Sequence, residues 1–133
     1  MRAVELAEKA LGSLKGKRVA ILGLSFKGGS DDVRESRAIP LAHALMKRGA
    51  AVVGYDPQGN EAFRTAVPKA EIAQDVKSAL ARADVCIVHN DWPEWRDLTA
   101  ADFVGMRRKV VVDGRRILRR EAMNGVELIV LGG

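Results

Sequence analysis

Residues 17–36 read KRVAILGLSFKGGSDDVRES, and this stretch decides the fold. Val19 to Leu24 form an aliphatic run without polar alternation, which is typical of a strand buried on both faces of a parallel sheet. Glycines and charged residues follow directly, and helical spacing of apolar residues resumes at Ala38. A strand, a charged loop and a helix in this order predict the first unit of an α/β fold.

The same alternation continues to the end of the chain. Further strands are predicted at AAVVGYD, DVCIVHN, KVVVD and VELIVLG, with a weak sixth strand around Ala70 to Ala73. Helical segments are predicted between them, including Asn60 to Ala66, DVKSALARA and the short REAMN. The sequence therefore predicts a Rossmann-like, doubly wound parallel sheet of five to six strands in a three-layer α/β/α arrangement.

An amphipathic helix is predicted before the first strand. Val4, Ala7, Leu11 and Leu14 recur at helical spacing, and we expect Gly16 to end the helix. The second helix has Ser36 as its expected N-cap and Pro40 in its first turn, where proline is tolerated.

Composition excludes several classes of protein. The 133 residues fit one domain, and 47% apolar with 29% charged residues is typical of a soluble globular protein. No apolar run approaches the roughly 20 residues that cross a bilayer, and the N-terminus lacks the continuous apolar core of a signal peptide. We therefore expect a cytoplasmic protein without membrane contact. One cysteine forms no internal disulfide, and two distant histidines give no metal-ligand spacing, so no metal site is predicted.

The net charge of +5 is concentrated near the C-terminus. This cluster indicates either an anionic partner or a solvated basic face. No aromatic residues are interleaved with it and no nucleic-acid-binding motif is present, so we expect no nucleic acid partner. The clustered residues are Arg107, Arg108, Lys109, Arg115, Arg116, Arg119 and Arg120.

The charged loop after the first strand is the main candidate site, because ligands of open parallel sheets bind at the carboxyl ends of the strands. Lys27 and Arg34 can contact an anion there, and Asp31 and Asp32 can orient these cations. The alternative is a salt-bridge network without a ligand. G-x-G-x-x-G is absent, and Asp56 ends the second strand either as a ribose-binding acid or as an Asp-Pro turn.

FKGGSDDVRES, followed by YDP, W-x-x-W and DGR after successive strands, resembles the C-terminal domain of UDP-glucose/GDP-mannose dehydrogenases. The resemblance runs from about Gly16 to the end. It implies a connecting helix at residues 1–15 from a preceding domain and a nucleotide-sugar-binding domain at residues 16–133. It also implies an NAD-dependent enzyme that oxidises the sugar C6 alcohol to a carboxylate in two steps through a cysteine thiohemiacetal.

The resemblance assigns roles to individual residues. Phe26, Lys27 and Arg115 would contact the nucleotide-sugar, and Arg34 would reach the NAD pyrophosphate. The expected ligand is a UDP-sugar, with GDP-mannose possible. The expected partners are the N-terminal NAD-binding and central domains of the same enzyme, which would be a homo-oligomer at full length.

No catalytic residue is expected in this chain. The cysteine motif of the family, G-F-G-G-S-C, is absent, and Cys86 lies in the apolar run DVCIVH, where a buried packing role is expected. His89 and Asn90 stand where many members carry threonine, so His89 is either a loop residue or a general base. Besides the inactive enzyme domain, a self-contained nucleotide-binding module without catalysis stays open.

Overall fold

The computed structural model of the protein describes residues 2–25 and 37–131. Six strands form its sheet: β1 Arg18–Leu22, β2 Ala51–Tyr55, β3 Glu71–Ile72, β4 Val85–Val88, β5 Val110–Asp113 and β6 Glu127–Val130. Every neighbouring pair is parallel, and the order across the sheet is β3-β2-β1-β4-β5-β6. This is the order of a doubly wound Rossmann fold, as the sequence predicts. The weak sixth strand is confirmed as the two-residue β3.

The sheet is buried on both faces, which explains why its central strands lack polar alternation. Successive side chains point to opposite faces of a strand. Val19 and Ile21 of β1 therefore join one apolar cluster, whereas Ala20 and Leu22 join the other. All four residues are fully buried.

Helices cover both faces of the sheet, so that the sheet is the middle layer of an α/β/α arrangement. The α-helices are α1 Arg2–Leu11, α2 Ala38–Lys47, α3 Asn60–Ala66 and α4 Val76–Leu80. Buried residues of α1, α2 and α3 join the first cluster, and those of α4 join the second. Short 3-10 helices at Pro93–Asp97, Ala100–Phe103 and Arg120–Ala122 complete the second face. None of the described helices has the length and hydropathy required to cross a membrane.

One prediction about a helix end needs correction, and another falls outside the described residues. Helix α1 ends at Leu11 and not near Gly16, because Gly12 adopts φ +82° and reverses the chain earlier. Leu14 is nevertheless buried in the core. Helix α2 follows Arg37, which makes no side-chain cap hydrogen bond, and the expected cap Ser36 lies outside the described residues. Pro40 is the third residue of α2, as predicted.

The strand order reverses between β1 and β4, and this reversal positions the site. Crossovers leave β1 toward one side of the sheet and β4 toward the other, which opens a crevice at the carboxyl ends of these two strands. The backbone N–H of His89 donates to the carbonyl of Leu22 at 2.8 Å and holds the two strand ends together. The residues that follow β1, β2, β4 and β5 therefore meet at one edge.

Candidate functional site

A buried carboxylate connects three of the loops at this edge. Asp56 follows β2 and is fully buried. Its Oδ2 accepts hydrogen bonds from the backbone N–H of Leu24 at 2.7 Å and of Ser25 at 3.1 Å, at the end of β1. Its Oδ1 accepts from the N–H groups of Gln58 at 2.9 Å and Gly59 at 2.8 Å in its own turn. Asp56 thus fixes the residues immediately before the charged loop.

The loop after β4 reaches the same carboxylate through side chains. Asn90 donates from Nδ2 to Asp56 Oδ2 at 3.1 Å, and the Trp92 indole N–H donates to that oxygen at 3.1 Å. The Trp95 indole N–H donates to Asn90 Oδ1 at 2.8 Å. These three polar side chains are buried with apolar surroundings, where a satisfied network is rigid. W-x-x-W therefore supplies two hydrogen-bond donors that hold the loop.

Gly23 makes this arrangement sterically possible. It adopts φ +101°, and a Cβ at this position would lie 2.2 Å from Asn90 Oδ1. Only glycine combines that backbone conformation with that close approach. Gly23 is thus required for the close packing of the end of β1 against Asn90.

The pKa of Asp56 reflects this hydrogen bonding. Burial alone would raise the pKa, but hydrogen bonds from backbone N–H groups outweigh it and hold the pKa below its usual value. The donors are Gln58, Leu24, Ser25 and Gly59. An acid whose oxygens are engaged in this way has no free position for a ribose hydroxyl. The interpretation of Asp56 as a turn residue is supported, and its additional role as a link between loops was not predicted.

The loop after β5 is shaped by a second buried carboxylate. Asp113 accepts from the Arg115 backbone N–H at 3.1 Å and from the Leu118 N–H at 2.8 Å. Gly114 lies so close to β4 that a Cβ would be 2.9 Å from the Val88 carbonyl oxygen. The DGR motif therefore has a loop-forming acid, a glycine at a tight contact and a third residue, Arg115, whose side chain is half exposed.

A cavity of about 290 Å³ lies at this edge beside β4 and β5. Three guanidinium-bearing residues from separate parts of the chain line it: Arg2 of α1, Arg37 before α2, and Arg115 after β5. His89 and Gly114 also line it, together with aliphatic residues such as Leu41 and Leu131. Arg115 Nη2 is 3.9 Å from Asp91 Oδ2, a distance at which the pairing of partly exposed groups is weak. The cavity is thus cationic and suits an anion.

The environment of His89 follows from this charge. Burial lowers the pKa of the imidazole to about 4, with Arg115 and Arg37 contributing by repulsion. His89 is therefore neutral near pH 7. Cys86 is the second residue of β4 and is fully buried in the second apolar cluster, which fits the expected packing role. Burial raises the pKa of its thiol well above the ordinary value, which disfavours the reactive thiolate.

The structure tests only part of the predicted site. Phe26, Lys27 and Arg34 lie outside the described residues, as do Asp31 and Asp32. Arg115 does lie in the cavity. Arg2 and Arg37 line the same cavity and were missed. Within residues 2–25 and 37–131, no group of three or more acidic, histidine or cysteine side chains forms a potential metal site.

The basic cluster near the C-terminus is not one surface. Arg107, Arg108 and Lys109 precede β5, whereas Arg115 and Arg116 follow it. A strand of four residues separates its two ends by roughly 13 Å and sends them to opposite edges of the sheet. Only the second group is beside the carboxyl edge.

Comparison with known proteins agrees with the fold. A model of the UDP-binding domain of the UDP-glucose/GDP-mannose dehydrogenase family matches residues 20–120. The chain belongs to this family. The match begins within β1, runs through β5 and includes the loops after β1, β2, β4 and β5, so it covers most of the candidate site.

Individual relatives are UDP-glucose 6-dehydrogenases. The chain is 49% identical over 117 residues to the UDP-glucose 6-dehydrogenase AglM of Haloferax volcanii, covering 87% of this chain and 27% of that protein. It is 39% identical over 114 residues to the UDP-glucose 6-dehydrogenase of Rhizobium meliloti, covering 83% and 25%. The chain therefore spans about a quarter of the length of these curated relatives.

A solved structure shows the same architecture. The UDP-glucose dehydrogenase of the archaeon Pyrobaculum islandicum superimposes with a TM-score of 0.80 and 37% identity, over 98% of this chain and 28% of that one. The superposition includes α1, which lies before the residues matched by the family model. Helix α1 is thus part of the shared fold.

Proposed function

We propose that this chain is the nucleotide-sugar-binding domain of an NAD-dependent UDP-glucose-type 6-dehydrogenase, which oxidises the sugar C6 alcohol to a carboxylate. The single observation that carries the proposal is the cationic cavity at the carboxyl edge, where Arg115 of DGR meets Arg37 and Arg2. Guanidinium groups bind phosphate oxygens through fixed, paired donors. The cavity would hold the diphosphate of the nucleotide-sugar.

The charged loop would complete the site. Ser25 is held by Asp56, and Phe26 and Lys27 follow it directly in the sequence. We infer that Phe26 and Lys27 contact the same ligand as Arg115. These two assignments rest on the family motif and on the position of the loop after the first strand.

The described residues do not form a dinucleotide site of the ordinary kind. Gly23 packs against Asn90, and the Asp56 carboxylate is occupied by hydrogen bonds from its own loops. We therefore assign NAD mainly to another domain of the same enzyme. Arg34 is this chain's proposed contact to its pyrophosphate.

The chain would be inactive by itself. Thiohemiacetal chemistry needs a thiolate that can reach the sugar, and Cys86 is the single cysteine of the sequence and is fully buried. The domain would act with N-terminal NAD-binding and central domains, in a cytoplasmic homo-oligomer. Residues 1–15 would connect these domains to residues 16–133, while α1 also packs on the sheet through Val4 and Ala7.

The proposal is tested by calorimetric titration of the chain with UDP-glucose, GDP-mannose and ADP-ribose. We expect UDP-glucose to bind most tightly. Arg115→Ala should weaken its binding roughly tenfold to a hundredfold, because a charge-assisted hydrogen bond is worth about 1.5–3 kcal/mol. Arg64→Ala is the matched control, since Arg64 is an exposed residue of α3 that pairs with Glu61. The affinity of Arg64→Ala for UDP-glucose should equal that of the unchanged chain.

The outcomes separate the possible readings. Equal binding of all three ligands would contradict a nucleotide-sugar site. Unchanged affinity in Arg115→Ala would remove Arg115 from the site. NADH formation by this chain alone with NAD and UDP-glucose would contradict the proposal that catalysis needs further domains.

A further inference from the structure

His89 is the one neutral titratable side chain among the three guanidinium-bearing residues that line the described cavity. It follows β4 directly, at the point where the strand order reverses, and its backbone is held by Leu22. The imidazole lies between loops that come from different strands. This position is the crevice in which open α/β sheets bind ligands.

The ring of His89 is not explained by packing. A buried structural histidine ordinarily has a hydrogen-bond partner on at least one ring nitrogen. No hydrogen bond joins either ring nitrogen of His89 to another described residue, and the residue lines the cavity and is only partly buried. Toward residues 2–25 and 37–131, the ring therefore keeps a donor and an acceptor that a ligand in the cavity could use.

Among the described residues, the charged groups around the ring come from three separate elements. Arg2 belongs to α1, Arg37 precedes α2 and Arg115 follows β5. Asp91, two residues after His89, is an acid of the same loop, and its Oδ2 lies 3.9 Å from Arg115 Nη2. A proton on His89 would add a further positive charge to this set. The repulsion between that charge and the guanidinium groups disfavours protonation of His89. An anion in the cavity would favour protonation instead, because it would attract the imidazolium.

We propose that His89 contacts the phosphate-bearing ligand as an imidazolium, so that binding of the ligand takes up a proton. The identity of the ligand rests on the proposed function, whereas the link between an anion and His89 rests on the cavity alone. The affinity and the protonation of His89 are then reciprocally coupled. Binding becomes tighter as the pH falls from neutral toward the free-state pKa.

The size of the pH effect on affinity follows from the pKa of His89 without and with the bound anion. The free imidazole has a pKa of about 4, and an anion that restores the ordinary value of about 6.5 makes binding roughly eightfold tighter at about pH 5.5 than at about pH 7. The diphosphate diester of UDP-glucose has no group that titrates in this range. The pH dependence is therefore a property of the protein.

The chain contains two histidines, which allows a clean assignment. We would record the imidazole titrations by NMR with and without saturating UDP-glucose, and measure the affinity at both pH values by calorimetry. We expect the His89 pKa to rise by at least one unit on binding. The pH dependence should disappear in His89→Gln and persist in His43→Gln, because His43 is an exposed residue of α2 outside the cavity lining.

Inorganic sulfate, which stays divalent over this pH range, separates this inference from the proposed function. If sulfate raises the His89 pKa and UDP-glucose does not bind, the anion site stands and the proposed nucleotide-sugar function fails. If UDP-glucose binds and the His89 titration does not move, or if His89→Gln keeps the full pH dependence, the inference is wrong and the function stands. Failure of both probes to bind overturns both.

Discussion

Replacing Asp56 with asparagine changes one oxygen to an amide nitrogen at the centre of the loop network. Whichever way the new amide is turned, one of its sides presents N–H groups to backbone N–H donors. The less damaging orientation keeps the oxygen toward Leu24, Asn90 and Trp92. The amide nitrogen then faces the N–H groups of Gln58 and Gly59, which lose their acceptor.

The expected cost is large compared with the stability of a domain. Two hydrogen bonds to a charged group are lost, each worth about 1.5–3 kcal/mol, so Asp56→Asn should reduce the free energy of unfolding by about 3–6 kcal/mol. Domains of this size have a total of about 5–15 kcal/mol. The variant should fold, but with a much lower denaturation midpoint.

Urea denaturation followed by tryptophan fluorescence measures this cost. Trp92 and Trp95 are buried beside Asp56, so their emission reports on the site as it unfolds. Asp75→Asn is the matched control: Asp75 is an exposed helix cap that accepts from Ser78 N–H at 2.7 Å, and asparagine caps helices equally well. A loss below about 1 kcal/mol in Asp56→Asn, or a midpoint equal to that of the control, would refute the role given to the carboxylate.

Three further predictions follow from the same structure. The pKa of Asp56 is lowered in the folded state, so its stabilising effect is present above the unfolded pKa of about 3.9 and is lost as the pH falls through the folded pKa. In denaturation series below about pH 4, the difference in unfolding free energy between the wild type and Asp56→Asn should therefore shrink. A difference that stays constant with pH would contradict this. In urea denaturation, Gly23→Ala should lower the free energy of unfolding by at least about 2 kcal/mol more than Gly12→Ala does, because both glycines have positive φ but only a Cβ at Gly23 meets other atoms. Equal losses would show that the close approach of Gly23 to Asn90 is not what requires glycine. The Cys86 thiol should react with a chromogenic disulfide reagent only as fast as the protein unfolds, because it is buried and its pKa is raised; rapid labelling of the native protein would show an accessible thiol.

The fold was largely readable from the sequence because parallel strands buried on both faces leave continuous aliphatic runs. Val19 to Leu24 is such a run, and its first four residues, Val19 to Leu22, alternate between the two apolar clusters. The end of α1 was not readable, because both Gly12 and Gly16 adopt positive φ and the sequence does not show which one ends the helix. Spacing also could not reveal that Leu14 packs in the core after the helix has ended.

The site was readable only where chemistry and chain position coincide. The position of Arg115 at the edge where open parallel sheets bind ligands could be predicted, because DGR follows a strand. Arg37 was missed because it is one of several charged residues between β1 and α2, although a cation just before a helix that starts at this edge is a usable signal. Arg2 was missed because α1 was interpreted as a connection.

Long-range contacts explain the remaining differences. The bonds from Trp92 and Asn90 to Asp56 span more than 30 positions in the chain, and no local pattern encodes them. The basic residues near the C-terminus show the converse, because they are close in sequence but do not form one surface. Residues adjacent in sequence are divided by β5 between two edges of the sheet.

The central claim is that a nucleotide-sugar binds at the carboxyl edge of the sheet. Backbone amide NMR of the labelled chain, titrated with UDP-glucose, locates the ligand most directly. If the ligand binds there, the largest shifts fall on residues that line the cavity, namely Arg37, His89, Gly114 and Arg115. Shifts centred instead on Arg107 to Lys109, before β5 and at the opposite edge, would contradict it.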